Sequence, residues 1–244
     1  MSNRKYKGIL LDLDNTLYDY PPMHKAALDA VLAEISRVID VSTATLEEMY
    51  CRAQAVGKQR LEGKAASHSR ILYIQWMLES LGIFSYRFAL DLENLYWNTF
   101  LDTMTLLPGM EEFLRRAMLP ICIVTDLTAT IQMRKIIRLG IEPQVRFMVS
   151  SEESGVEKPH PFIFWCAVRK LGLTPEECVM IGDSYEKDIL GAVGAGVDAI
   201  LFRAASDALA LQSKPEEHPG VYCARDGRDL LALIENNKGG GSAL

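Results

Sequence analysis

Four short apolar runs along this chain each end in a loop carrying reactive side chains. Gly8-Ile9-Leu10-Leu11 runs into Asp12-Leu13-Asp14-Asn15-Thr16, and Ile121-Cys122-Ile123-Val124 runs into Thr125-Asp126. Val145-Arg146-Phe147-Met148-Val149 leads through an acidic loop to Lys158-Pro159. Cys178-Val179-Met180-Ile181 opens into Gly182-Asp183-Ser184 and then Asp188. Apolar runs of this length, bounded by turn-forming residues, read as buried strands. Helical spacing of apolar positions fills the gaps over residues 111–118, 129–139, 161–171 and 189–196. Strands alternating with helices predict βαβ units and a parallel sheet. Right-handed crossovers then bring the carboxyl ends of all strands to one edge, where open α/β sheets bind ligands. Asp12, Asp14, Thr125, Lys158 and Asp183 are therefore expected to converge.

The pattern changes between Leu17 and about Thr105. Strand signals stop, and helical stretches are expected over 23–39, 44–60, 67–81 and 86–101, with Gly82 as a fitting stop after the third. Pro21-Pro22 opens this insert and Leu107-Pro108-Gly109 follows it, marking two crossings. The expected division is an α/β core from residues 1–17 and 105–238, a helical cap over 18–104, and a disordered Gly-rich tail at 239–244. A bundle inserted after the first acidic loop sits over the sheet edge, which suits a lid that excludes water and selects substrate. Trp76 and Trp97 are expected to fill its core. Arg60, Lys64, His68 and Arg70 cluster near Gly63 and Ser67 and read as a cationic solvated face more than as a substrate contact.

The converging side chains fit one chemistry. Asp12, ionised, is a nucleophile able to form an aspartyl-phosphate. Attack on an anionic phosphate needs charge compensation, and a Mg²⁺ ion held by Asp12 and Asp183 would supply most of it. Lys158 offers a fixed ammonium and Thr125 a hydroxyl to the transferring oxygens. Asp14, two residues from the nucleophile, can protonate the departing alkoxide and later deprotonate the attacking water.

These motifs resemble the haloacid dehalogenase superfamily, in its phosphatase branch with an inserted helical cap of the C1 type. Asp-x-Asp-x-Thr matches Asp12 to Thr16, and the strand ending in Thr matches at Thr125. The lysine before a helix falls on Lys158, and Gly-Asp-(x)4-Asp on Gly182, Asp183 and Asp188. The match runs from about Lys7 to Arg203, the insert agreeing in position and helicity alone. Each motif is weak by itself; four in order are specific. The resemblance implies a Rossmann-like, doubly wound α/β core with a four-helix cap. It implies Asp12 as nucleophile, Asp14 as general acid/base, and Mg²⁺ on the Asp12 and Asp183 side chains and the Asp14 backbone carbonyl. Asp188 becomes a supporting acid, and Thr16, Thr125, Lys158 and the Asp126 backbone become phosphate contacts. Asp126 itself departs from the family, where Asn or another neutral residue often follows the threonine. A carboxylate beside a phosphate is unfavourable unless it points away or meets a cation, so Asp126 bears on substrate class.

The expected activity is hydrolysis of a small phosphate monoester, a sugar phosphate or a nucleotide. A phosphomutase of the same superfamily and a non-catalytic module that binds a phosphorylated ligand stay open. A dehalogenase is disfavoured, because carbon–halogen displacement needs no leaving-group acid. With 244 residues and 49% apolar content, the chain can bury a large core. A net charge of −6 argues against general nucleic-acid or anionic-membrane binding, and no apolar stretch approaches a membrane span. Five cysteines (51, 122, 166, 178 and 223) form no Cys-x-x-Cys pair and read as reduced thiols. The first strand begins too early for a cleavable signal, so a cytoplasmic monomer or homodimer is expected. His24, His68, His160 and His218 lack metal-ligand spacing and are expected to be exposed or structural.

Overall fold

The computed structural model describes residues 6–203 and 221–236; the Gly-rich tail and His218 lie outside them. Six described strands form one parallel sheet: β1 (Gly8–Leu11), β2 (Ile121–Thr125), β3 (Val145–Ser150), β4 (Cys178–Gly182), β5 (Asp198–Phe202) and β6 (Val221–Ala224). Their order is β3-β2-β1-β4-β5-β6, with β1 central between β2 and β4. The two strands beyond the four expected, β5 and β6, extend the sheet on the side away from β2.

Central strands buried on both faces explain the unbroken apolar runs: every residue of β1, β2 and β4 is buried. Alternate residues feed different cores. Ile9, Leu11, Ile123 and Ile181 join one cluster, whereas Leu10, Cys122, Val124 and Met180 join the other. The second cluster is completed by Ile163, Phe164 and Ala167 of helix 161–171, and by Ala192.

Four helices lie between β1 and the rest of the sheet: α1 (Tyr20–Val38), α2 (Thr43–Arg60), α3 (Arg70–Ser80) and α4 (Tyr86–Asp102). Ser42 and Ser85 start α2 and α4 by accepting the backbone N–H of Thr45 and Phe88. The third helix begins later than the spacing predicts. Residues Ala65–His68 form a 3₁₀ turn, and Ser69 in extended backbone breaks the run before α3. The inserted helices share the first core cluster, to which Trp97 contributes fully and Trp76 only from a half-buried position. Entry and exit of the insert are tied together, the Leu107 N–H donating to the Leu17 carbonyl at 2.8 Å.

The remaining helices are α5 (Met110–Arg116), α6 (Ala129–Arg138), α7 (Ser151–Ser154), α8 (Pro161–Leu171), α9 (Gly191–Gly194) and α10 (Gly227–Asn236). The helix expected over 189–196 differs: Tyr185–Leu190 forms a π-helical turn that passes into the short α9. All five cysteines are free; Cys122 and Cys178 are buried in β2 and β4, whereas Cys51 and Cys223 are exposed. No described helix is long and apolar enough to cross a membrane.

Candidate active site

The loops after β1, β2, β3 and β4 meet over the carboxyl edge of the sheet. Asp12 leaves β1 with its N–H still bonded to the Ile181 carbonyl at 2.9 Å, which holds the first acidic loop beside the fourth. Asn15 then turns the chain at a φ of 66°, a left-handed conformation that Asn tolerates, and its side chain accepts the Tyr20 N–H at 3.1 Å. Lys158 arrives from the loop after α7 and donates to Asp12 Oδ1 and Asp188 Oδ1, each at 2.6 Å. Thr16 donates to Asp12 Oδ2 at 2.8 Å and accepts the Asp183 N–H at 3.1 Å. Asp12, Asp183 and Asp188 each place a carboxylate oxygen within 4.8 Å of the others. Residues 146 positions apart thus share one buried ion pair.

The charges in this cluster do not balance. Three carboxylates face one ammonium, leaving two negative charges uncompensated. Burial pushes the Asp12 carboxyl well above its ordinary range; Lys158 opposes this, while Asp188 and Asp183 add to it. Burial, then Asp188, likewise push Asp183 up to about 6. Burial alone would lower the Lys158 ammonium, yet Asp12, Asp188 and Asp126 outweigh it and keep Lys158 charged. A donor set of hard oxygens with an excess of negative charge suits a small divalent cation such as Mg²⁺. The residues present fit that ion.

Asp14 belongs to a different network. Its Oδ1 accepts from Lys135 Nζ at 2.7 Å and closely from Tyr18 Oη, and Gln132 Nε2 lies 3.4 Å from Oδ2. Burial works to raise the Asp14 pKa, but Lys135, Tyr18 and Gln132 together hold it below the usual carboxylate value. Gln132 also bonds Thr125 Oγ1 at 2.5 Å. The Thr125 hydroxyl in turn donates to the Asp126 carbonyl at 3.2 Å, so its proton is engaged along its own backbone. Asp126 meets a cation: its carboxylate accepts the Lys158 N–H at 3.0 Å and Lys187 Nζ at 2.8 Å.

Seven of the eight expected site residues, all but Thr16, line a cleft of about 530 Å³ between the sheet edge and the inserted helices. Thr16 lies beneath it, fully buried. The far wall is made by Tyr20, His24, Gln54, Lys58, His68 and Arg70. One sequence expectation changes here. Arg70 is not part of a solvated face but is 6% exposed, because the 3₁₀ turn aims it inward from the start of α3. His24, expected to be exposed or structural, is half-buried in the cleft wall and bonded to Tyr96 Oη at 2.6 Å. Gln132, Lys135, Lys187 and Lys58 had no motif to mark them. For Gln132 and Lys135 a signal existed: they share a stripe with Ile136, while Met133 and Ile137 point outward at 53% and 61% exposure.

The fold and this site define a class: a doubly wound α/β protein with an acidic cluster and one lysine at the carboxyl edge of its sheet. The chain belongs to the haloacid dehalogenase-like hydrolase family, whose profile matches residues 6–196. It is 37% identical to ribulose-1,5-bisphosphate 5-phosphatase of Halopiger xanaduensis, over 84% of this chain and 88% of that protein. Glyceraldehyde 3-phosphate phosphatase of Methanopyrus kandleri is 34% identical over 81% of this chain and 84% of its own length. Among solved structures, a 2-haloacid dehalogenase from Pseudomonas syringae superposes with a TM-score of 0.73 at 22% identity. That match covers 95% of this chain and 99% of the other, and bears on the fold alone.

Proposed function

We propose that this hydrolase is a Mg²⁺-dependent phosphatase that cleaves a small phosphate monoester through an aspartyl-phosphate on Asp12. Phosphoric monoester hydrolysis accords with its family and with relatives named as phosphatases. The observation that carries the mechanism is the buried Asp12–Lys158–Asp188 cluster, with Asp183 beside it and Asp14 at its edge.

In the first half-reaction a carboxylate oxygen of Asp12 attacks phosphorus. The bond to the alkoxide oxygen breaks, and a protonated Asp14 gives that oxygen its proton. In the second, water attacks phosphorus, Asp14 takes its proton, and the acyl-phosphate bond breaks to restore the Asp12 carboxylate and release inorganic phosphate. Lys135 favours the ionised form of Asp14, which suits the second step. Lys158 stays charged throughout and places positive charge beside the transferring oxygens. Mg²⁺ on Asp12, Asp183 and the Asp14 backbone carbonyl would supply the remaining charge neutralisation and fix the phosphate in line. Residues 18–104 act as a cap that excludes water and selects the leaving group of a sugar phosphate or nucleotide.

Release of inorganic phosphate from p-nitrophenyl phosphate with Mg²⁺ tests this directly. Asp12→Asn is expected to lower kcat by about a thousandfold or more, as loss of a nucleophile does. Full activity in that variant, or its persistence in EDTA, would refute the mechanism.

A further inference from the structure

The cations of the cleft fall into two sets. Lys158, Lys187 and Lys135 each hold a carboxylate. Lys58 and Arg70, on the opposite wall, have no acidic partner among the described residues. Arg70 donates to Tyr96 Oη at 3.2 Å, to the His68 carbonyl at 2.6 Å, and closely to Tyr20 Oη. Its guanidinium also lies 5.5–5.7 Å from the ring centroids of Tyr73, Tyr96 and Trp97. Three neutral acceptors use three of its five N–H groups and leave its charge unpaired.

A buried guanidinium without a counter-ion is costly, and buried charges are ordinarily paired, so an arriving anion would complete this one. The neighbouring side chain registers the same field. Burial, then Arg70 and Lys58, push His24 down to about 4, so it stays neutral. The carboxylate of Glu157, beside His68, accepts from Ser67 Oγ at 2.9 Å and lies 3.1 Å from His68 Nε2. The cleft is thus bipolar, with the acid cluster and Lys158 below and unpaired positive charge above.

We infer that the substrate is anionic at both ends: a small phosphate monoester whose leaving group carries a second carboxylate or phosphate, bound by Arg70 and Lys58. This rests on the phosphatase reading of the same cleft and narrows its substrate class. A planar guanidinium with two free N–H groups matches either anion bidentately, and Lys58, exposed at the rim, adds a mobile point charge.

The test compares three esters on the Mg²⁺-supplied enzyme: glycerol 3-phosphate with a neutral tail, 3-phosphoglycerate with a carboxylate tail, and a short polyol bisphosphate. The wild type is expected to favour at least one anionic-tailed ester by about ten- to hundredfold in kcat/KM, the worth of one or two charged hydrogen bonds. The favoured ester identifies the anion. Lys58→Ala and Arg70→Gln should each pull that ratio toward one, chiefly through KM. Thermal melting checks the buried Arg70 variant; if it does not fold, Lys58→Ala on the rim decides alone. A wild-type ratio near one, or a ratio unmoved in the folded variants, overturns the inference while leaving the phosphatase intact. Should none of the three be hydrolysed, calorimetric binding of the same esters gives the ratio instead; the phosphatase reading falls only if p-nitrophenyl phosphate is not hydrolysed either.

Discussion

Gly182 leaves no room for any other residue. A Cβ there would lie 2.4 Å from Asp188 Cγ, so the carboxylate that accepts from Lys158 is seated against bare backbone. The π-helical turn brings Asp188 back under its own strand, where its Oδ2 accepts the Ser184 N–H at 3.0 Å. Asp12 and Asp183 were legible residue by residue, because each directly follows an apolar run read as a buried strand; Lys158 comes only after α7, and the edge strand β3 before it is buried only at its last two residues. His24 was not, since its environment comes from Tyr96, Arg70 and Lys58 on other helices. Its depressed pKa has a sign that can be worked out. Protonation is easier in the unfolded chain, so the neutral ring contributes stability above its ordinary pKa of 6.5, and this is lost as pH falls toward 4. His24→Gln should therefore flatten the melting-temperature profile between those values. An NMR titration should find the His24 pKa rising in Lys58→Ala; an unmoved value would mean that Lys58 exerts no field on the cleft wall.

At the scale of elements, α6 reverses the usual amphipathic logic. It buries Gln132 and Lys135 and exposes Met133 and Ile137, because its inner face meets Asp14 and Thr125 and not a fully apolar core. The Lys135 ammonium also lies over the rings of Tyr18, Tyr20, Trp97 and Phe100, at 5.4–5.8 Å. The same helix grips the insert: Arg138 donates to the Leu101 and Asp102 carbonyls at the end of α4, at 2.6 and 2.7 Å. Lys135→Met keeps the volume and removes the ion pair. Burial would then act on Asp14 with less opposition, so its pKa should rise and the acid limb of the kcat–pH profile should move to higher pH. Stability should fall by about 1–3 kcal/mol, the cost of a lost buried partner, as read by urea denaturation. An unchanged acid limb would remove Asp14 from the titrating machinery.

For the whole molecule, the acid cluster is a store of repulsion that a bound cation would relieve. Mg²⁺ at a hundredfold excess over its dissociation constant should add about 2.7 kcal/mol to stability, or roughly 5–10 °C in Tm for a chain of this size. EDTA should reverse the gain, and Asp183→Asn should lose most of it, as followed by differential scanning fluorimetry. No shift with Mg²⁺ would mean that Asp12 and Asp183 do not hold an ion. The sheet's extent was legible only in part: β1 to β4 stood out by the loops they feed, whereas no motif of the site marked β5 or the half-exposed edge strand β6.

By itself the sequence determined the alternation of strands and helices, the helical insert after the first strand, and which acids leave buried strands at one edge. These are local properties, set by hydrophobic period and by residues adjacent in the chain. Only the tertiary structure decided the partners. Lys135 reaches Asp14 across 121 residues, Lys187 reaches Asp126 across 61, and Arg70 is buried where spacing alone left it on a solvated face. The physical reason is that a charge takes its role from the field around it, and that field is assembled from segments brought together only by folding.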